Sequence, residues 1–121
     1  MGIIYHIARA ADWSQAQGEG EYRTSTRGRT LEHQGFIHAS TADQVAPVAN
    51  TVYAGDRGLL VLVIDESRVV PRIVYEPVPG WDSHFPHIYG PLNVDAVVET
   101  LLLEPDASGL FTFATKRGSP T

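Results

Sequence analysis

The order of apolar and polar segments predicts an α+β fold: one or two small, mostly antiparallel sheets with two main helices. Three observations carry this expectation. Ile3 to Ala8 and Leu59 to Asp65 are β-branched and apolar runs of strand length. Between them, Ser40 and Thr41 precede a stretch whose apolar residues recur at helical spacing. The full order reads strand, helix, strand, helix, strand, strand, loop, strand, strand, which lacks the regular alternation of a parallel α/β sheet.

Taken in order, Ile3-Ile4-Tyr5-His6-Ile7-Ala8 predicts a buried first strand. Asp12 can cap a short helix through Trp13, Ala16 and Gln17, which Gly18 and Gly20 stop. Glu19 to Gln34 is polar, carries Arg23, Arg27 and Arg29, and reads as a long loop. Gly35 to Ala39 predicts a short strand. Ser40 and Thr41, each followed three residues later by Asp43 and Gln44, form a capping-box pattern opening a helix over 42–54. Val45, Val48, Ala49, Val52 and Tyr53 share its apolar face, and Pro47 should bend it.

Leu59 to Asp65, apolar almost throughout, predicts a central strand, and Arg72 to Glu76 a second one ended by Pro77, Pro79 and Gly80. Trp81 to Pro91 reads as an irregular loop, and Val94 to Val98 as a short helical turn. Leu101–Glu104 and Leu110–Phe113 flank a five-residue turn and predict a closing hairpin.

At 121 residues the chain is expected to form one domain over 1–115, followed by a polar tail over 116–121. Nine basic against 14 acidic residues give a net charge of −5, without any basic run, which argues against nucleic acid and anionic lipid as partners. The absence of cysteine excludes disulfides, thiolate metal sites and cysteine nucleophiles. The longest apolar run, Leu59 to Ile64, is far shorter than the roughly 20 residues of a membrane span. With no targeting signal visible, a cytoplasmic location is the expectation.

Two clusters carry candidate chemistry. In Gly35-Phe36-Ile37-His38-Ala39-Ser40-Thr41 an imidazole ends a strand and two hydroxyls meet a helix start, a natural seat for phosphate or carboxylate. In His84-Phe85-Pro86-His87-Ile88-Tyr89-Gly90-Pro91-Leu92, two prolines stiffen the segment and Gly90 allows a close approach of backbone to a ligand. His87 and Tyr89, two apart, share one side of an extended chain and suit a planar ring. Glu76, at a strand end just before this segment, can present a carboxylate to the same pocket. The structural alternatives are a satisfied core histidine beside an ordinary cap, and a rigid loop packed on the sheet.

These residues resemble a known family. Tyr5-His6-Ile7, Trp13, the Gly35–Thr41 motif with Gln44, Leu60 to Asp65, Glu76 and the Pro86–Leu92 motif are similar to the small bacterial family known as domain of unknown function 952. That family is grouped by remote similarity with ADP-ribosyltransferase and RNA 2′-phosphotransferase folds, which hold NAD or an ADP-ribose-like product between two small antiparallel sheets. The resemblance implies that His6 binds a ribose hydroxyl, that Tyr89, Tyr53 or Phe36 stacks on a nicotinamide or purine, and that Glu76 faces the ribosyl cation.

The sequence therefore supports one pocket built from both motifs. Glu76, His38 and His87 are its candidate catalytic residues, and His6, Phe36, Ser40, Thr41, Gln44, Tyr89 and Gly90 its candidate ligand-binding residues. The expected ligand is a nucleotide-like or other anionic small molecule, with NAD the cofactor that the resemblance suggests and transferase or hydrolase chemistry related to NAD or ADP-ribose. The alternatives are a non-catalytic metabolite-binding module and, ranked lower, a metal enzyme in which His38, His84 and His87 converge.

Overall fold

The computed structural model describes residues 2–26 and 29–114. The expected tail over 116–121 and Arg27 lie outside the described residues. The fold is α+β. Its strands are β1 (Ile3–Arg9), β2 (Glu21–Tyr22), β3 (Ile37–His38), β4 (Leu59–Asp65), β5 (Arg72–Pro77), β6 (His84–Tyr89), β7 (Leu92–Asn93) and β8 (Val97–Leu103). The α-helices are α1 (Ala10–Glu19), α2 (Leu31–Gln34) and α3 (Val45–Val52). Two three-stranded sheets, ordered β1-β4-β8 and β3-β6-β5, and the small pair β2-β7 are antiparallel throughout.

The β1-β4-β8 sheet is apolar because both of its faces are covered. Ile4, Ala8, Leu62 and Ile64 pack on one side with Trp13 and Ala16 of α1 and with Tyr22, Ile37 and Ile88. Tyr5, Ile7, Val61 and Val63 pack on the other with Val45, Val48 and Ala49 of α3 and with Phe85 and Phe111. Period-2 alternation thus places successive side chains of β1 and β4 into two different cores, so the sequence shows no polar face. His6 takes the Ile4 side and is buried. The β3-β6-β5 sheet is joined to β1 through Ser40, whose backbone exchanges hydrogen bonds with Tyr5 at 2.7 and 2.8 Å. Among the described residues no helix is long and apolar enough to cross a membrane.

Five local expectations are corrected. Helix α1 begins on Arg9, which gives no side-chain cap, while Asp12 lies inside the first turn against the helix's positive end. Gly18 continues this helix; Gly20, left-handed at φ 87°, stops it with its N–H on the Ala16 carbonyl. The 19–34 segment contains β2 and α2, the latter capped by the Thr30 hydroxyl, which accepts from the His33 N–H at 3.2 Å. The helix over 42–54 is shorter: a 3₁₀ turn, Ala42–Gln44, leads into α3, and Pro47 falls in the first turn of α3, where a missing N–H breaks no bond.

The largest difference is at Trp81–Pro91, which contains β6, the middle strand of its sheet. Pro86 is tolerated there because β3 is only two residues long. Extending the register His38↔His87 places Pro86 opposite Ala39, just past the end of β3. The Pro86 carbonyl still accepts from the Ala39 N–H at 2.9 Å, so one ladder bond is lost rather than two. The expected closing hairpin does not form, since β8 pairs with β4 instead. Phe111 is drawn into the α3 core, where Asn50 accepts its N–H at 2.8 Å and donates to its carbonyl at 3.0 Å.

Candidate functional site

The pairing of three strands assembles the site. His38 on β3 stands directly opposite His87 on β6, and Glu76 on β5 lies diagonally across from His87. Strand parity gives Phe85, His87 and Tyr89 one face of β6. The side chains connect in a row: His38 Nδ1 is 3.3 Å from His87 Nε2, and His87 Nδ1 is 2.8 Å from Glu76 Oε1. The Tyr89 hydroxyl donates to that same carboxylate oxygen. Phe36, just ahead of β3, lies flat on the His87 ring with centroids 4.0 Å apart and planes 14° apart, and tilts against Tyr89 at 5.5 Å. The Arg72 guanidinium lies 5.8 Å from the centre of the Tyr89 ring.

Electrostatics sets where the protons reside. Glu76 is held below the usual carboxylate range, first by the Tyr89 hydroxyl and then by the His87 N–H, so it is an acceptor at neutral pH. His87 must then carry its proton on Nδ1. The same carboxylate pushes the Tyr89 hydroxyl upward. His38 is depressed to about 3, chiefly by burial and further by the nearby rings of His87 and His6, so its own ring stays uncharged.

These groups form one wall of a cavity of about 690 Å³. His38, His87, Glu76, Tyr89 and Phe36 line it together with Arg29, Gln34 and Thr26 from the segment before β3. Val48 and Val52, one turn apart on α3, and the Pro77-Val78-Pro79 turn with Trp81 complete the lining. Trp81 is held edge-on against Phe85 at 5.4 Å. The cavity therefore combines flat aromatic faces, an ionised carboxylate, paired imidazoles and the Arg29 guanidinium.

The sequence profile of the family described as protein of unknown function DUF952 matches residues 7–100. The chain belongs to the DUF952 family. It is similar to Protein CC0527 from Caulobacter crescentus, whose crystal structure is 29% identical, has a TM-score of 0.79 and is matched over 91% of this chain and 93% of that one. A crystal structure of a double mutant of CC0527 has a TM-score of 0.78 at 29% identity, covering 91% of this chain and 93% of that one. The solution NMR structure of CC0527 has a TM-score of 0.75 at 30% identity, covering 91% of each chain. No curated protein matches this chain.

Of the residues singled out from sequence, this DUF952 domain brings Glu76, His38, His87, Phe36 and Tyr89 to the cavity and leaves the others off its wall. His6 is sealed behind β3, its ring bonded to the His38 carbonyl and to Tyr22, so no surface remains for a ribose hydroxyl. Ser40 and Tyr53 are buried beside His6 and His38 around a void of only about 10 Å³. The helix start is occupied by its own side chains: Thr41 donates its hydroxyl to Asp43 at 2.6 Å, and Gln44 Oε1 accepts the Thr41 N–H at 2.9 Å. Gln44 also donates to Ser83 and to the His84 carbonyl, both at 2.9 Å, which fastens α3 to the start of β6. Gly90 does permit a close approach, but the neighbour is Pro71: a Cβ at Gly90 would sit 2.9 Å from the proline ring.

The convergence of His38, His84 and His87 is not formed. His84 is three residues from His87 on β6, hence on the opposite face, and is exposed. Among the described residues no group of three or more His, Asp or Glu side chains is arranged to hold a metal ion. Reasoning from sequence passed over Gln34, Trp81, Val48 and Val52. The Pro77–Trp81 run was the available signal for one of them, a stiff turn carrying an aromatic directly after Glu76. Val48 and Val52 read as plain core residues, because helical spacing does not distinguish a packed face from a cavity wall.

Proposed function

We propose that the domain binds a small molecule of nucleotide size, bearing a flat ring and a negative charge, in the cavity beside His38 and His87. The observation that carries this reading is the lining itself: stacked Phe36 and His87, tilted Tyr89 and Trp81 share one cavity with Arg29. The volume of about 690 Å³ falls within the roughly 300–1,000 Å³ typical of small-molecule sites. A ring laid on an aromatic face buries apolar area, while an anionic group pairs with Arg29 through charge-assisted hydrogen bonds. NAD, ADP-ribose and AMP combine both features and are the first ligands to test.

The ionised Glu76 on the same wall supports a finer reading, cleavage of NAD at the ribosyl carbon. In that reaction positive charge develops on the ribose as nicotinamide departs, and a fixed carboxylate offsets it. Calorimetric titration with NAD, ADP-ribose and AMP tests the binding reading. Phe36→Ala and Arg29→Ala, titrated below their melting temperatures, should each weaken binding about tenfold or more. If none of the three ligands binds, or if they bind both variants unchanged, the reading fails. Mass analysis for free nicotinamide after incubation with NAD separates turnover from binding alone.

A further inference from the structure

The geometry points to a proton relay, which we propose runs from Glu76 through His87 to His38, a residue of the cavity lining, and delivers or accepts a proton at His38 Nε2. This deepens the reading above, since it makes the cavity an acid–base site for a ligand, or a water beside it, that exchanges one proton. His38 is the catalytic residue; His87 and Glu76 act through it as positioning residues.

The relay follows from the order of the contacts. Glu76, as a carboxylate, only accepts, so His87 donates Nδ1–H to it across 2.8 Å. With His87 neutral, its Nε2 is a lone pair facing His38 Nδ1 at 3.3 Å. His38 must then place its proton on Nδ1, which leaves Nε2 as the base, with no protein partner among the described residues. When a proton arrives at His38 Nε2, the Nδ1 proton passes to His87 Nε2. His87 becomes imidazolium, its charge held against Glu76, and His38 remains neutral with the opposite tautomer. The reverse transfer returns the proton to the ligand, so none is gained or lost over a cycle.

This arrangement also explains how a ring as hard to charge as His38 can serve. Its pKa of about 3 would make it a feeble base standing alone, but the charge resides one ring away, beside the carboxylate. The packing keeps the row in line. Phe36 covers one face of His87, Phe85 lies 4.9 Å from His38, and the Ser25 hydroxyl accepts the His38 main-chain N–H at 3.2 Å. The charged or titratable groups facing the pair are His6 behind His38, Glu76 and Tyr89 beside His87, Arg72 over Tyr89 and Arg29 on the cavity wall.

Nitrogen-15 NMR of the histidine rings in the free protein, followed from pH 8 to pH 5, tests the relay without any ligand. The His38 proton should move from Nδ1 to Nε2 with the same midpoint at which His87 gains its second proton. In Glu76→Gln both events should shift together to lower pH by about one unit, as expected when a paired carboxylate is removed. The measurement uses the free protein, so failure of the binding reading leaves this result standing. A His38 ring that keeps one tautomer throughout, or that charges before His87, overturns the relay.

Discussion

His6 donates from Nδ1 to the main-chain carbonyl of His38 at 2.6 Å. A carbonyl only accepts, so the proton must be on Nδ1, and Nε2 accepts the Tyr22 hydroxyl at 3.0 Å. One buried ring thus links β1, β2 and β3. The backbone of the histidine that lines the cavity is held by a histidine that does not reach it. Burial depresses His6 to about 4, so it serves as a neutral strut.

Removing that strut should be costly. His6→Ala deletes two buried hydrogen bonds, leaves the Tyr22 hydroxyl with Thr24 in place of both partners and opens a void, which together cost about 2–4 kcal/mol. Urea unfolding of the variant measures this directly. A loss under about 0.5 kcal/mol would show that the ring contributes little.

Acid should destabilise the fold before carboxylates matter. In the unfolded chain His6 and His38 take up protons near pH 6.5, whereas in the folded protein they resist until about 4 and about 3. The unfolded state therefore binds more protons in this window, and stability falls as pH drops from about 6.5 towards 4. The slope is at most about 1.4 kcal/mol per pH unit for each ring. Urea midpoints at pH 7 and pH 5 check the sign, and in His6→Ala the slope should be about halved.

Gln44 is placed to fasten rather than to bind ligand. Gln44→Ala removes the acceptor of the Thr41 N–H and two donors to the Ser83–His84 turn, and should cost about 1–3 kcal/mol. Thermal unfolding should show this loss. Ligand affinity measured well below the melting temperature should stay within about twofold of wild type.

At Gly90 the backbone, at φ 156°, passes so close to Pro71 that an added methyl group meets the ring at 2.9 Å. Gly90→Ala should destabilise by about 1–3 kcal/mol through overpacking. Equal stability in chemical denaturation would mean that the chain ahead of β5, at Pro71, or just past β6, at Gly90, yields to the methyl group.

The two described arginines of the early polar segment should behave differently. Arg23 is exposed and paired with Glu21 at 2.6 Å and with Glu32, so Arg23→Ala should leave both the melting temperature and ligand binding close to those of the wild type. Arg29 stands on the cavity wall and donates to Gln34 at 3.2 Å, and its loss should register in binding. Side-by-side titrations of both variants with ADP-ribose test the contrast.

Much of the scaffold could be read along the chain. The apolar runs at Ile3 and Leu59 became β1 and β4, with β4 central, because an uninterrupted apolar strand needs cover on both faces. The two-residue spacing of His87 and Tyr89 put both on Glu76, since parity in a strand is a local property. The same parity argument separates His84 from His87. Pro86 misled, because its missing N–H forbids a middle strand only where a partner carbonyl would have needed it, and β3 ends there.

What the sequence by itself determined was the α+β class, the membership of each cluster and the side of the strand each residue takes, all of which follow from spacing along one segment. Which clusters meet was decided by tertiary structure alone. Strand pairing joins residues 49 positions apart, as in His38 and His87, through backbone hydrogen bonds that any side chain can accompany. For that reason the order Glu76–His87–His38, the sealing of His6 and the turning of Thr41 and Gln44 onto their own helix could be seen only once the strands were in register.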